Sequence, residues 1–291
     1  MADKKYDLYQ LQISRSSSKF VQGQLFQQLT IEEIEGNKNK YLLQGIIENE
    51  LVIFHRRNRL NYKIIKEDGE MVMFKMANRK SVALEREFKR TTHESEPSCL
   101  IAMHLTPTTQ IVAIEADRPS FGNSLTASRV LKNAINRFLK DFNLSAYLQP
   151  ILKEVEIWEL FSMYSNEIER IKIELSKPNM ARLNQDISED LKDLQKSVNS
   201  GTTKLTLQAP PDNTLENLDE NNPQFSNIVN AVSKGAGNIK IKARNIRAEI
   251  DSNDKRKSIV MEDVELEGDQ YTVDAFFSVF KTILEDQAED E

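Results

Sequence analysis

CLIAMHLTPTTQIVAIEADRPSFGNSLTASRVLKNAINRFLKDFN, residues 99–143, is the stretch that decides the fold class. Cys99–Leu105 and Gln110–Ala116 are short apolar runs separated by Thr106-Pro107-Thr108-Thr109, the signature of two strands joined by a turn. Leu131, Ile135, Phe138 and Phe142 then recur at i, i+4, i+7 and i+11, which is one face of a helix running from about Ser124 to Asn143. Two strands feeding one long amphipathic helix describe a sheet that buries one side under helix.

Upstream of this core, Tyr6–Ile13 reads as an opening strand and Lys19–Ile34 as an irregular helix carrying Phe20, Leu25, Phe26 and Leu29. Tyr41–Ile47 and Leu51–His55 read as strands. Asn61–Lys66 and Glu70–Met76 form a hairpin around Glu67-Asp68-Gly69, because Asp-Gly supplies the left-handed backbone that such a turn needs. Thr91–Ser98 reads as a polar connection. Downstream, residues 153–168 read as a second helix with the single tryptophan, Trp158. Arg170–Leu175 alternates as a half-buried strand. Asp186 and Glu189 have capping-box spacing ahead of Ile187, Leu191, Leu194 and Val198. Lys204–Gln208 is a strand, Asn222-Pro223 opens a helix, and Ile239–Ala243 and Ser258–Leu266 are strands. Val273, Phe276, Phe277, Phe280, Ile283 and Leu284 mark a final amphipathic helix, expected to pack on the second sheet with the acids Glu285–Glu291 beyond it. The fold class is therefore α+β or mixed α/β: an N-terminal, mostly antiparallel sheet with a long helix, then a C-terminal β-α-β-α-β-β-α layer. The halves fall at 1–175 and 176–291, with the weakest joint near Ser176–Asn184, and one continuous domain is equally compatible with the pattern.

The chain has 291 residues, 39% of them hydrophobic and 29% charged, which describes a globular protein with a substantial core. It has no apolar run long enough to cross a membrane and no secretory signal behind Met1, so a cytoplasmic protein without membrane partners is expected. The one cysteine, Cys99, rules out an intramolecular disulfide framework and fits a reducing compartment. The net charge of −6 is unevenly distributed. Residues 1–100 hold 17 Lys and Arg against 14 Asp and Glu, whereas residues 236–291 hold 8 against 14. The N-terminal third is thus mildly basic inside an acidic chain.

Catalytic motifs are sparse. His55, His93 and His104 show no metal-ligand spacing, and neither a metal nor a cofactor is expected. A dyad of Cys99 with His93 or His104 competes with Cys99 as an ordinary core thiol. Gly235-Ala236-Gly237 follows a helix and precedes a strand, the reverse of a phosphate cradle, so it reads as a helix cap. The segment Asp117–Ser124 does lie between strand and helix, where a helix N-terminus can face an anion. Glu115 and Asp117 share a strand face and are the candidate catalytic carboxylates of a metal-dependent nuclease, although Pro119 stands where a restriction-type site has lysine. Two basic stretches are candidate nucleic-acid contacts. The first is Arg56, Arg57, Arg59, Tyr62 and Lys63, continued by Arg79 and Lys80, with Tyr62 and Phe74 as aromatic neighbours able to stack a base. The second is Lys240, Lys242 and Arg244 on one face of a strand.

The segments Ile114–Gly122 and Ile171–Asn179, with the long helix between them, are similar in layout to uncharacterised bacterial proteins of this size that are often encoded among anti-phage defence genes. The resemblance implies a bacterial or phage-related protein and carries no catalytic residue. The sequence therefore points to an intracellular binding or sensor protein for nucleic acid or nucleoprotein, with DNA or RNA as partner. The alternatives are a metal-dependent nuclease effector and a structural subunit that meets a protein partner or further copies of itself.

Overall fold

In the computed structural model, the decisive stretch folds as Ser98–Leu105 (β8) and Gln110–Glu115 (β9), paired antiparallel with Ala102 opposite Ala113, followed by the helix Ser124–Leu139 (α4). The structure describes residues 3–16, 31–107, 110–116, 118–176, 193–194, 197–198, 200–264, 266 and 269–289. The architecture is mixed α+β, built on antiparallel sheets. Among the described residues no helix is long and apolar enough to cross a membrane.

Contacts divide the chain into two units. Met1–Asp7, Val21–Ala146 and Ser258–Glu291 form the first, and Leu8–Phe20 with Tyr147–Lys257 the second. The strands Asp3–Arg15 (β1) and Leu144–Pro150 (β10) each run from one into the other. This partition differs from the linear halves 1–175 and 176–291, because the last strand and helix return to the first unit.

The larger sheet has the order β10-β1-β9-β8-β5-β4, where β4 is Tyr62–Glu67 and β5 is Met71–Ala77. Ser258–Glu262 (β15) pairs with the start of β1, Tyr6 facing Ile259. The β4–β5 hairpin turns where Asp-Gly places it: Gly69 is left-handed at φ 88°, and the Asp68 carboxylate accepts from the amides of Glu70 and Met71. Strands β5, β8 and β9 are buried on both faces. One face is covered by α4 and by the helix Lys38–Ile47 (α2), which follows a short helix, Ile31–Gly36 (α1). Gly45 of α2 lets the two helices meet, since a Cβ there would lie 2.2 Å from the Phe138 ring. The other face carries the last helix, Gln270–Glu289, whose Phe280 is fully buried against Tyr6 at a ring separation of 5.0 Å. Lys66 bonds Asp274, and Lys281 bonds Asp68 and Glu70. The cover for this helix is thus the first sheet, not the second. Its acids begin inside it: Glu285 lies in the helix, 3.7 Å from the buried His104.

Two further readings are corrected. Tyr41–Ile47 is helix, not strand: Leu42, Leu43 and Ile46 have helical spacing and all three are buried. The polar stretch Thr91–Ser98 and the residues before it hold a two-stranded ribbon, Lys80–Arg86 (β6) and Lys89–Ser95 (β7), in register from Lys80 opposite Ser95 to Arg86 opposite Lys89. A smaller hairpin, Ile53–His55 (β2) and Asn58–Leu60 (β3), turns at Arg56-Arg57, with Arg56 left-handed at φ 55°.

The second unit has a four-stranded antiparallel sheet in the order β12-β11-β13-β14: Thr202–Gln208 (β12), Ile168–Ser176 (β11), Gly237–Ala243 (β13) and Ile250–Asp251 (β14). Ile171 and Ile173 sit opposite Ile241 and Ile239, and these side chains pack against Glu154–Met163 (α5) and Pro223–Ala231 (α6) through Phe161, Phe225 and Val229. Asn222 caps α6 by accepting from the Phe225 amide, as Asn-Pro foretold. The helix expected from Asp186 and Glu189 lies almost entirely outside the described residues. The same holds for Lys19–Ile34 up to residue 30. For the last helix the label α7 is used below.

Candidate nucleic-acid interface

Three separated segments of the first unit converge on one cleft of about 800 Å³. The β2–β3 turn contributes His55 and Arg56, the root of the β6–β7 ribbon contributes Arg79 and Lys80, and the start of α4 contributes Thr126. Each is held by local structure. The His55 ring stands edge-on to Phe121 with centroids 5.8 Å apart. Asn78 donates to the Ser120 carbonyl at 2.6 Å and Lys80 to the Pro119 carbonyl at 2.6 Å, so the ribbon root is tied to the short helix Arg118–Phe121 (α3). Asn123 caps α4 by accepting from the Thr126 amide at 2.8 Å, and the positive end of that helix dipole therefore opens toward the cleft.

The lining carries Arg56, Arg79 and Lys80 against one acid, Glu94. Burial first, and then the charges of Arg56 and Lys80, hold the His55 imidazole below its ordinary pKa. Arg79 is not a free cation, since it is paired with Glu94 and lies 3.7 Å from Glu96. Arg56, Arg57 and Arg59 are exposed, and among the described residues no ion pair engages them or Lys63. Arg57 and Arg59 belong to the same hairpin as Arg56 but do not line the cleft wall.

The aromatic neighbours proposed from sequence are taken up by structure. Tyr62 donates its hydroxyl to the Ile46 carbonyl at 2.9 Å and packs edge-on to Phe74, which is fully buried. Neither ring offers a free face to a base. Lys63 is exposed on β4, opposite Lys75 in the ladder.

The second basic stretch is engaged by its own surroundings. Lys240 pairs with Asp251 at 3.4 Å, Lys242 donates to the carbonyls of Ile246 and Arg247, and Arg244 meets Glu169 at 3.4 Å and the Asp212 carbonyl at 3.1 Å. On β11, Arg170 and Lys172 share Glu249. The second unit also holds a cleft of about 800 Å³, but its rim carries Glu159, Glu216, Asp219 and Glu220 beside Trp158. It has the wrong sign for phosphate.

The nuclease candidates fare differently. Glu115 accepts from the Leu100 amide at 2.7 Å and pairs with Lys4 at 3.1 Å, with only 11% of its side chain exposed, so it clamps the end of a strand. Asp117 lies outside the described residues. Among the described residues, no three His, Cys, Asp or Glu side chains are grouped to hold a metal ion. Cys99 is buried in β8, and His104, five positions along the same strand, belongs to its opposite face. His93 is exposed on the ribbon. Cys99 therefore sits in the core without a histidine of its own strand beside it.

The separate cations were legible from sequence. Their convergence was not, because it depends on an eight-residue hairpin and on a ribbon whose turn has no glycine or asparagine to announce it. Residues 98–284 match the model of a family described as a domain of unknown function, DUF4747; the matched segment contains α3 and α4, and the cleft's cations precede it. No curated protein and no solved structure matches the chain.

Proposed function

The chain belongs to the DUF4747 family, and we propose that it is a nucleic-acid-binding protein whose first unit takes the phosphate backbone at the cleft of His55, Arg56 and Lys80. The observation that carries this reading is the convergence of cations from two segments, Arg56 of the β2–β3 turn and Lys80 at the ribbon root, beside the N-terminal end of α4. Guanidinium groups and helix amides are complementary to phosphate oxygens, and Arg57 and Arg59 extend the same charge along the hairpin. The acidic remainder of the chain supports a localised contact, since repulsion elsewhere keeps phosphate from coating the surface. Contacts of this kind fix position rather than base sequence. The resemblance of Ile114–Gly122 and Ile171–Asn179 to proteins encoded among defence genes makes sensing of phage nucleic acid the setting that fits the reading.

The test is fluorescence anisotropy of a labelled DNA duplex and a labelled single-stranded RNA across a salt series, with wild type and the triple variant Arg56→Ala, Arg57→Ala, Arg59→Ala. If each guanidinium neutralises one phosphate, the triple variant loses affinity for every sequence and its salt slope falls by about three. Equal affinity and equal slope in the two proteins would sink the proposal. Cleavage of either nucleic acid in a parallel magnesium-containing reaction would replace it with the nuclease reading.

A further inference from the structure

The β6–β7 ribbon stands away from the first unit: the described side chains from Ser81 to Glu96 are all exposed. An isolated two-stranded ribbon is marginal in water unless something lies against it. Its turn is unusual in composition. Glu87 and Phe88 are left-handed at φ 52° and 62°, the backbone of a two-residue hairpin turn that Asn-Gly fills without strain. Phe88 at this position is 99% exposed, so an aromatic ring sits at the tip where stability alone would favour glycine.

Charge along the ribbon is sorted by face. Strand alternation and the register place Lys80, Lys89, Thr91, His93 and Ser95 on one face, with no acid among that face's positions, whereas Glu85, Arg90 and Glu94 occupy the other. At the tip, Arg86, Lys89 and Arg90 flank Phe88, with Glu87 as the single acid. At the root, the ribbon enters the cationic cleft through Arg79 and Lys80. Seven residues at about 3.3 Å each carry the tip roughly 23 Å from that root, about the width of a DNA duplex.

We infer that the β6–β7 ribbon is a DNA-binding arm, which lies along a groove of a duplex held at its root by the cleft and wedges Phe88 between base steps. The inference rests on the reading of the cleft as a phosphate site and names the form of nucleic acid it takes. A groove of B-form DNA admits a two-stranded ribbon, the acid-free face suits the phosphates that border the groove, and inserted apolar side chains unstack and kink a duplex. The competing occupant is a second copy of the chain, whose acidic cleft at Glu159, Glu216, Asp219 and Glu220 carries charge of the opposite sign, and sedimentation separates the two.

The experiment uses the full chain and a DNA duplex of about three helical turns, labelled at its ends for energy transfer and carrying 2-aminopurine at internal steps. Wild type is expected to shorten the end-to-end distance and brighten 2-aminopurine. Phe88→Ala, at an exposed position, is expected to abolish both signals and weaken binding about tenfold, the scale of one lost aromatic stack. Its salt slope is expected to stay unchanged because no charge is removed. Phe88→Leu keeps an apolar wedge and is expected to restore part of the bend. Bending and affinity that survive in Phe88→Ala would overturn the arm while leaving the cleft reading standing. Binding confined to single-stranded RNA would overturn it as well. So would a wild-type dimer that Phe88→Ala converts to monomer in sedimentation, which would place the tip on a second copy. Absence of any nucleic-acid binding by wild type would remove both inferences together.

Discussion

His55 is the residue that reports the cleft's charge. Its imidazole is held below 6.5 by burial and by Arg56 and Lys80, so the free protein carries it neutral at pH 7. A phosphate bound beside it opposes those charges and raises the pKa. Binding then takes up a proton wherever the pH lies between the free and bound values, and affinity rises as pH falls through that window. The expected outcome is tighter DNA binding at pH 5.5 than at pH 7.5, with the dependence flattened in His55→Gln. Nuclear magnetic resonance should show the imidazole titrating at higher pH once oligonucleotide is added. An imidazole titration unmoved by saturating oligonucleotide would place the phosphates elsewhere. Arg79 teaches the complementary lesson. It stands in the same cleft, but Glu94 and Glu96 already neutralise it, which the spacing along the chain gave no means of foreseeing.

Helix α4 was legible because four apolar residues held a 3.6-residue period over three turns, and the β4–β5 hairpin because Asp68-Gly69 encodes its turn. Helix α2 was misread since its run of Tyr41, Leu42, Leu43, Ile46 and Ile47 is short enough for either periodicity, and packing against Phe138 decides the matter. The β6–β7 ribbon was missed because Glu87-Phe88 is the opposite of turn chemistry. The second basic stripe was seen, but its ion pairs were not, since Glu169 and Asp251 reach Arg244 and Lys240 from other segments. Helix α7 was legible as amphipathic, and its cover became clear only from the first sheet. Phe280 is 0% exposed between Tyr6 and Phe276. Phe280→Ala is therefore expected to lower stability by about 3–5 kcal/mol, read as a shifted urea midpoint of the full chain. An unchanged midpoint would mean that the helix does not depend on the sheet.

At the scale of the whole chain, each unit holds a cleft, and the two clefts differ in the charge that lines them. The first holds the cationic cleft and the second an acidic one. The first unit is also assembled from three separate stretches of sequence, so it cannot be excised as a linear fragment. Residues 1–175 alone would leave Met71, Met73, Ala102, Ile111 and Ala113 without the helix that covers their face, an apolar area large enough to drive association. That fragment is expected to aggregate or to bind a hydrophobic dye such as ANS, and co-expression of residues 176–291, which also complete the core of the second unit, is expected to restore solubility. A soluble, cooperatively melting 1–175 fragment would contradict this account.

The late position of α7 has a consequence for synthesis. The strand β9 leaves the ribosome long before Gln270–Glu289 does, and at typical elongation rates the roughly 150 residues between them take about 8–30 s to make. For that interval one face of the first sheet waits uncovered, a natural client for chaperones. A transcript interrupted anywhere before residue 270 yields a chain that keeps this sticky face permanently, and quality control can recognise it as unfinished. The sheet is thus closed only by a helix made long after it, and every ribosome that stalls between the two leaves the same exposed mark.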